Sequence, residues 1–217
     1  MANTLHRTLH RVGALLGPGD LSQQPDIVRL RDGRTMTLRF VEPEDAVALQ
    51  DYFHRLSVNS RYNRFLAAVG ELPPSELKKT LHSGGNAFAI LATLKTGGVE
   101  TIVGEARYAF DGDTASIEFG LSIDDRWQGH GIGRALLQNI ECRAASFGAT
   151  RLFGDTLRSN DVMIALARKA GYALANSPGD WKLTRFQKQI DIGPQEIPCA
   201  SWRLAAVSPS AMSSLAV

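Results

Sequence analysis

Long apolar runs are missing from this 217-residue chain, so neither a membrane span nor a signal peptide is expected. Cysteine is scarce. The two present, Cys142 and Cys199, have no metal-ligand spacing and give no disulfide framework, which is compatible with a reducing cytoplasm. An excess of one charge is also lacking: the formal net charge is +2, and no basic stretch is interleaved with aromatics. Both observations argue against nucleic acid as a partner. No Gly-Lys-Ser/Thr occurs, so no P-loop is expected. His6 and His10 could share a helix face and a metal, but such a pair in a terminal segment is more often incidental, and no metal site is expected.

What is present suits one ordinary globular domain. A hydrophobic content of 44% and a charged content of 21% on this length allow a substantial core. The expected division is a poorly ordered N-terminal extension over 1–26, the domain over 27–190, and a Pro-, Ser- and Ala-rich tail over 191–217.

The chain is organised around residues 116–148. Alternation over 117–123 puts Ile117, Phe119, Leu121 and Ile123 on one face of a strand and Glu118, Gly120 and Ser122 on the other. A polar link, Asp124-Asp125-Arg126-Trp127, leads to the turn Gln128-Gly129-His130-Gly131-Ile132-Gly133-Arg134. Alternate glycines let successive backbone N–H groups converge on an anion, and the helix beginning there adds its positive dipole end. Ile132, Leu136, Ile140 and Ala144 recur at i+4 with Leu137 beside them, and Gly148 stands where a helix would stop. Arg134 in the first helical turn opposes the dipole unless a phosphate is bound. A dinucleotide turn is the competing reading, with Asp155 near the spacing of a ribose-binding acid, but that fingerprint follows its strand directly and here a polar link intervenes.

Around this centre, Asp32-Gly33 marks a turn and residues 35–41 a strand. Pro43-Glu44-Asp45 opens a helix with a stripe of Ala46, Leu49, Phe53 and Leu56. Strands are expected over 88–94 and 101–109, with a second hairpin turning at Asp111-Gly112-Asp113. Residues 151–156 read as a strand, 160–170 as a helix and 182–187 as a last strand, giving a mixed α/β sheet. Residues 66–85 read as a loop.

The Gln128–Gly133 run resembles the signature Q/R-x-x-G-x-G/A of the GNAT superfamily of acyl-CoA-dependent N-acetyltransferases. Asn160, Met163, Leu166 and Lys169-Ala170-Gly171-Tyr172 resemble its later motif. Leu30-Arg31-Asp32-Gly33, Arg39, Pro43-Glu44-Asp45, Leu56-Ser57 and Ser60-Arg61-Tyr62 with Arg64-Phe65 look like the acetyltransferase module of Pat-type bacterial protein lysine acetyltransferases. The resemblance implies an α/β (α+β) fold: a mixed, mostly antiparallel, splayed central sheet flanked by helices on both faces. Acyl-CoA is then expected between the strand bearing Glu118 and the one near Leu152.

It also implies roles. A primary amine with a pKa of about 10.4 must lose a proton before attacking a thioester. Glu118, on the open strand face, is the expected base. The backbones of Leu121 and Ile123 would pair with the pantetheine arm. Gln128 and the amides of Gly129, His130, Gly131, Ile132, Gly133 and Arg134 would take the pyrophosphate. Asn160 would bond pantetheine, its simpler reading being a helix cap. The family often places a tyrosine acid where this chain has Ala167, and Tyr172 reads as core. The expected activity is acetyl-CoA-dependent transfer to a primary amine, preferably a protein lysine. A small-molecule amine is the alternative, and a non-catalytic acyl-CoA sensor the reading from another class. Expected partners are acetyl-CoA and the amine acceptor, with no nucleic acid and no membrane, in a monomer or homodimer.

Overall fold

Apolar side chains at consecutive positions mark a strand covered on both faces, and residues 88–94 read Phe-Ala-Ile-Leu-Ala-Thr-Leu. The computed structural model describes residues 25–81, 87–146 and 149–191. There this run lies in β3 (Ala87–Thr96). Phe88, Ile90, Ala92 and Leu94 enter one core, Ala89 and Leu91 the other.

The two cores are the two faces of one eight-stranded sheet. In spatial order it runs β1 (Asp26–Arg29), β2 (Thr35–Phe40), β3, β4 (Val99–Asp111), β5 (Ser116–Ile123), β6 (Arg151–Leu157), β8 (Leu183–Gln189) and β7 (Ala173–Asn176). Every neighbouring pair is antiparallel except β5 with β6. A doubly wound parallel sheet is thereby excluded, and with it the dinucleotide reading; Asp155 instead pairs with Arg185 at 3.1 and 2.6 Å.

The larger core holds α4 (Ile132–Ser146) and α5 (Asp161–Lys169) against one face. The i+4 stripe of α4 arrives as its spacing requires: Ile132, Leu136, Leu137, Ile140 and Ala144 are all fully buried. Each large aliphatic of that stripe contributes roughly 1.5–3 kcal/mol through burial. The smaller core lies under α1 (Ala46–Arg55) and α3 (Pro74–Leu81), with α2 (Val58–Phe65) beside them. A 3-10 turn over Pro43–Asp45 starts α1. The Asp45 carboxylate there accepts from the Glu42 N–H at 2.8 Å and from both Nη atoms of Arg39 at 2.7 Å.

The mixed sheet with helices on both faces is the expected architecture, with additions at its least patterned places. Helix α3 falls inside the stretch read as a loop. Helix α2 buries none of its residues, so Val-Asn-Ser-Arg-Tyr-Asn-Arg-Phe carries no apolar stripe. It is held by an N-cap instead, Ser57 Oγ accepting from the Ser60 N–H at 3.1 Å. One expectation is corrected: Cys142, buried on α4, is disulfide-bonded, so the cysteines lend no support to a reducing compartment. Sequence spacing does not show which residues three-dimensional packing brings together. The expectations for His6, His10, Gly148, Cys199 and the terminal segments lie outside the described residues, apart from residues 25, 26 and 191. Among the described residues, no helix is long and apolar enough to cross a membrane.

Candidate active site

The one parallel pairing among the described residues is short. Strands β5 and β6 are in register only through Ser116↔Arg151, Ile117↔Leu152 and Glu118↔Phe153, after which residues 119–123 and 154–157 diverge. At the point of divergence a Cβ on Gly154 would come within 2.5 Å of the Phe119 carbonyl oxygen and of the Phe186 ring, so only glycine fits there. Beyond it the edge of β5 faces a cleft of about 1160 Å³. The glycine turn, the start of α5 and the inner side of α2 line this cleft.

The turn is built as its residues suggest. Gly129 and Gly131 have φ of +80° and +94°, a region that side chains with a Cβ rarely adopt. Gly133 is there for space, since a Cβ would meet Leu166 Cδ2 at 2.9 Å and Ile123 Cδ1 at 3.0 Å. The first bond of α4 runs from the Ala135 N–H to the Gly131 carbonyl. The amides of Ile132, Gly133 and Arg134 therefore have no carbonyl within the helix. They and the positive dipole end line one end of the cleft, an arrangement suited to an anion.

The other face of β5 carries the polar chemistry. Glu118 is exposed and lines the cleft. Two residues on, Gly120 stands opposite Arg107 of β4, and Ser122 opposite Glu105. Glu105 is buried, 2.5 Å from Arg107 Nε and 3.5 Å from Arg64 Nη2. Burial alone would raise its pKa, but the two guanidiniums outweigh that and hold the carboxyl below its usual value. Ser122 Oγ lies 2.9 Å from the hydroxyl of Tyr52, whose burial pushes that phenol upward. The sequence reading assigned no role to Arg64, Glu105 or Arg107. The β4 alternation Glu-Ala-Arg placed the last two on one face, but only strand pairing shows that this face is the one bearing Glu118.

Of the expected ligand residues, Leu121, Ile123, Gln128, Gly129, Gly131, Ile132, Gly133, Arg134 and Asn160 all line the cleft. His130 does not: its ring Nδ1 lies 3.0 Å from the Gln128 carbonyl and the ring leans edge-on against Trp127. Asn160 caps α5, accepting from the Met163 N–H at 3.2 Å while donating to Thr156 Oγ1 at 3.0 Å. Ala167 is fully buried, and the Tyr172 ring packs edge-on against Phe119 and Phe186. Burial raises the Tyr172 phenol. No group of three or more metal-ligating side chains occurs among the described residues.

A mixed sheet whose one short parallel pairing opens into a cleft is the GNAT fold, that of acyl-CoA-dependent transferases. The chain belongs to the Acetyltransferase (GNAT) family, whose sequence profile matches residues 53–172. It is an acetyltransferase, and its donor is acetyl-CoA. Acetyltransferase PA5475 of Pseudomonas aeruginosa is 26% identical over 152 residues, which are 70% of this chain and 82% of the relative. Among solved structures, the GNAT domain of S. lividans PAT superposes with a TM-score of 0.69 at 26% identity, over 76% of this chain and 96% of that one. The yncA protein from Salmonella typhimurium, solved with its cofactor acetyl-CoA, shares the fold with a TM-score of 0.54 at 21% identity, over 76% and 99% of the two chains.

Proposed function

We propose that the protein moves the acetyl group from acetyl-CoA to a primary amine by direct attack, with Glu118 as the base and a protein lysine as the acceptor. The observation that carries this is the placement of Glu118 at the last residue of β5 paired with β6, where that strand edge opens into the cleft. A donor whose pantetheine arm follows the backbone at Leu121 and Ile123 puts its thioester near the middle of the strand. Its pyrophosphate then falls on the amides of residues 129–134. Gln128, whose side-chain amide lies 3.4 Å from the Ile123 carbonyl, ties the turn to the strand end. Asn160 has one amide hydrogen left for the arm.

In the step itself the amine gives its proton to Glu118, directly or through one water, and its lone pair attacks the thioester carbon. The C–S bond breaks as the tetrahedral adduct collapses, the second proton on its nitrogen passes to the departing thiolate through water, and the acetamide leaves with free CoA. A backbone N–H near Leu121 would hold the oxyanion. With Ala167 in the position of a general acid, the thiolate departs unassisted, which its acidity near neutral pH allows. A lysine acceptor and a relation to Pat-type enzymes are supported by the front-half motifs and by the likeness to the S. lividans domain.

Glu118→Gln tests the assignment. Turnover should fall by about 10²–10⁴-fold, the usual contribution of a positioned base. Calorimetry should find acetyl-CoA affinity changed by less than about threefold, since a base touches the transition state rather than the bound donor. Unchanged turnover would remove Glu118 from the mechanism, and acetyl-CoA binding without transfer to any amine in the wild-type protein would favour the sensor reading.

A further inference from the structure

Gly120 lies between Glu118 and Ser122 on β5, and its missing side chain is filled from above: a Cβ there would stand 3.2 Å from Arg64 Nη1. Arg107 comes alongside from β4, and both guanidiniums lie near the ring of Phe65. Arg64 is poorly compensated for a charge whose side chain is only 14% exposed. Its nearest carboxylate is at 3.5 Å, its Nε has no hydrogen-bond partner, and burial lowers its pKa. Arg107 shares that same carboxylate and reaches Glu76 at 3.1 Å. The cleft is also lined by Glu118, Asp125, Glu141, Asp155 and Asp161, but at Gly120 its lining side chains are Arg64 and Arg107, and their partners Glu105 and Glu76 do not line it. A buried cation normally keeps a full set of acceptors. At Gly120 the cleft wall therefore offers positive charge.

The donor does not satisfy this demand. It belongs to the edge of β5, in the plane of the sheet where β6 turns away, while Arg64 and Arg107 stand on the sheet's face together with Glu118. A group on that face belongs to the acceptor. We propose that the acceptor amine has a carboxylate beside it, bound by Arg64 with Arg107. The proposal rests on the acetyl-transfer reading given above. That carboxylate belongs either to the same small molecule, as in an amino acid, or to an acidic residue next to a lysine in a peptide.

The test uses blocked pentapeptides with a central lysine flanked by Asp, Ala or Arg, together with free aspartate and lysine, on the full chain saturated with CoA for binding or acetyl-CoA for transfer. In calorimetry an acid-flanked peptide or a free amino acid should bind roughly ten- to a hundredfold tighter than the alanine peptide, as charge-assisted hydrogen bonds to a guanidinium allow. Arg64→Gln should bring that ratio to within about threefold, and Arg64→Lys should keep part of it. Should Arg64→Gln lose cooperative unfolding, Arg107→Gln and the wild-type ratios decide. Preference for peptides alone identifies a protein acceptor, and preference for free amino acids alone a small one. Equal or weaker binding of every carboxylate-bearing probe overturns the proposal, even if all the peptides are acetylated. An Arg64-dependent preference without any transfer upholds it and removes the acetyl-transfer reading instead.

Discussion

Glu118 and Glu105 are carboxylates on adjacent strands with opposite surroundings. Glu118 meets open cleft, whereas Glu105 is enclosed by guanidiniums. A third acid, Asp124, has no exposed side-chain surface and accepts from the Arg126 N–H at 3.1 Å, from Arg126 Nε and Nη2 at 3.0 and 2.6 Å, and from Arg55 Nε at 3.3 Å. Burial alone would raise this carboxyl, but those hydrogen bonds outweigh it and the net shift is downward. Its contribution to stability is thus complete above the unfolded value of about 3.9 and is lost as pH falls through the lower folded value. Urea melts should show the unfolding free energy dropping as pH is lowered past 4. Asp124→Asn should flatten that limb and cost about 1–3 kcal/mol at pH 7. At this scale the sequence was legible wherever a residue's role follows from its neighbours in the chain. The faces of β5 and the cap at Asn160 are of this kind. Arg64 was not legible, because its partners come from β4 and from a glycine 56 positions further along.

Elements meet the cleft through two kinds of glycine. Gly129 and Gly131 set backbone direction, whereas Gly133 and Gly154 keep space, Gly154 between β5 and β6. Gly154→Ala should therefore act on the strands. With backbone on one side and an aromatic ring on the other, it should destabilise the protein by about 1–3 kcal/mol, and hydrogen exchange should speed up first in β5, β6 and β8. The turn and α4 were readable because an i+4 apolar stripe begins at Ile132, inside the glycine turn. Helix α2 was not readable, since its hold comes from Asp125, which accepts from the Ser57 N–H and hydroxyl at 2.9 Å and from the Ser60 hydroxyl at 2.7 Å. Such a clamp leaves no period in the sequence.

For the whole molecule the central prediction is linkage. Acetyl-CoA at a hundred times its dissociation constant should add about 2.7 kcal/mol to stability. In a chain of this size that raises the thermal midpoint by roughly 5–11 °C, while NADP should leave it unmoved. A thermal melt with each nucleotide checks both. The mixed sheet was legible because antiparallel strand signals precede alternating strand and helix signals. Its outermost strands were the hardest to see, and for the same reason they matter. Strands β1 and β7, one at each end of the order, are four residues long, against thirteen for β4. A sheet of eight strands presents two open rows of N–H and C=O groups to any other extended chain. Ending both rows after so few residues leaves too short a template for another strand to add, so the sheet can be wide without inviting aggregation along its margins.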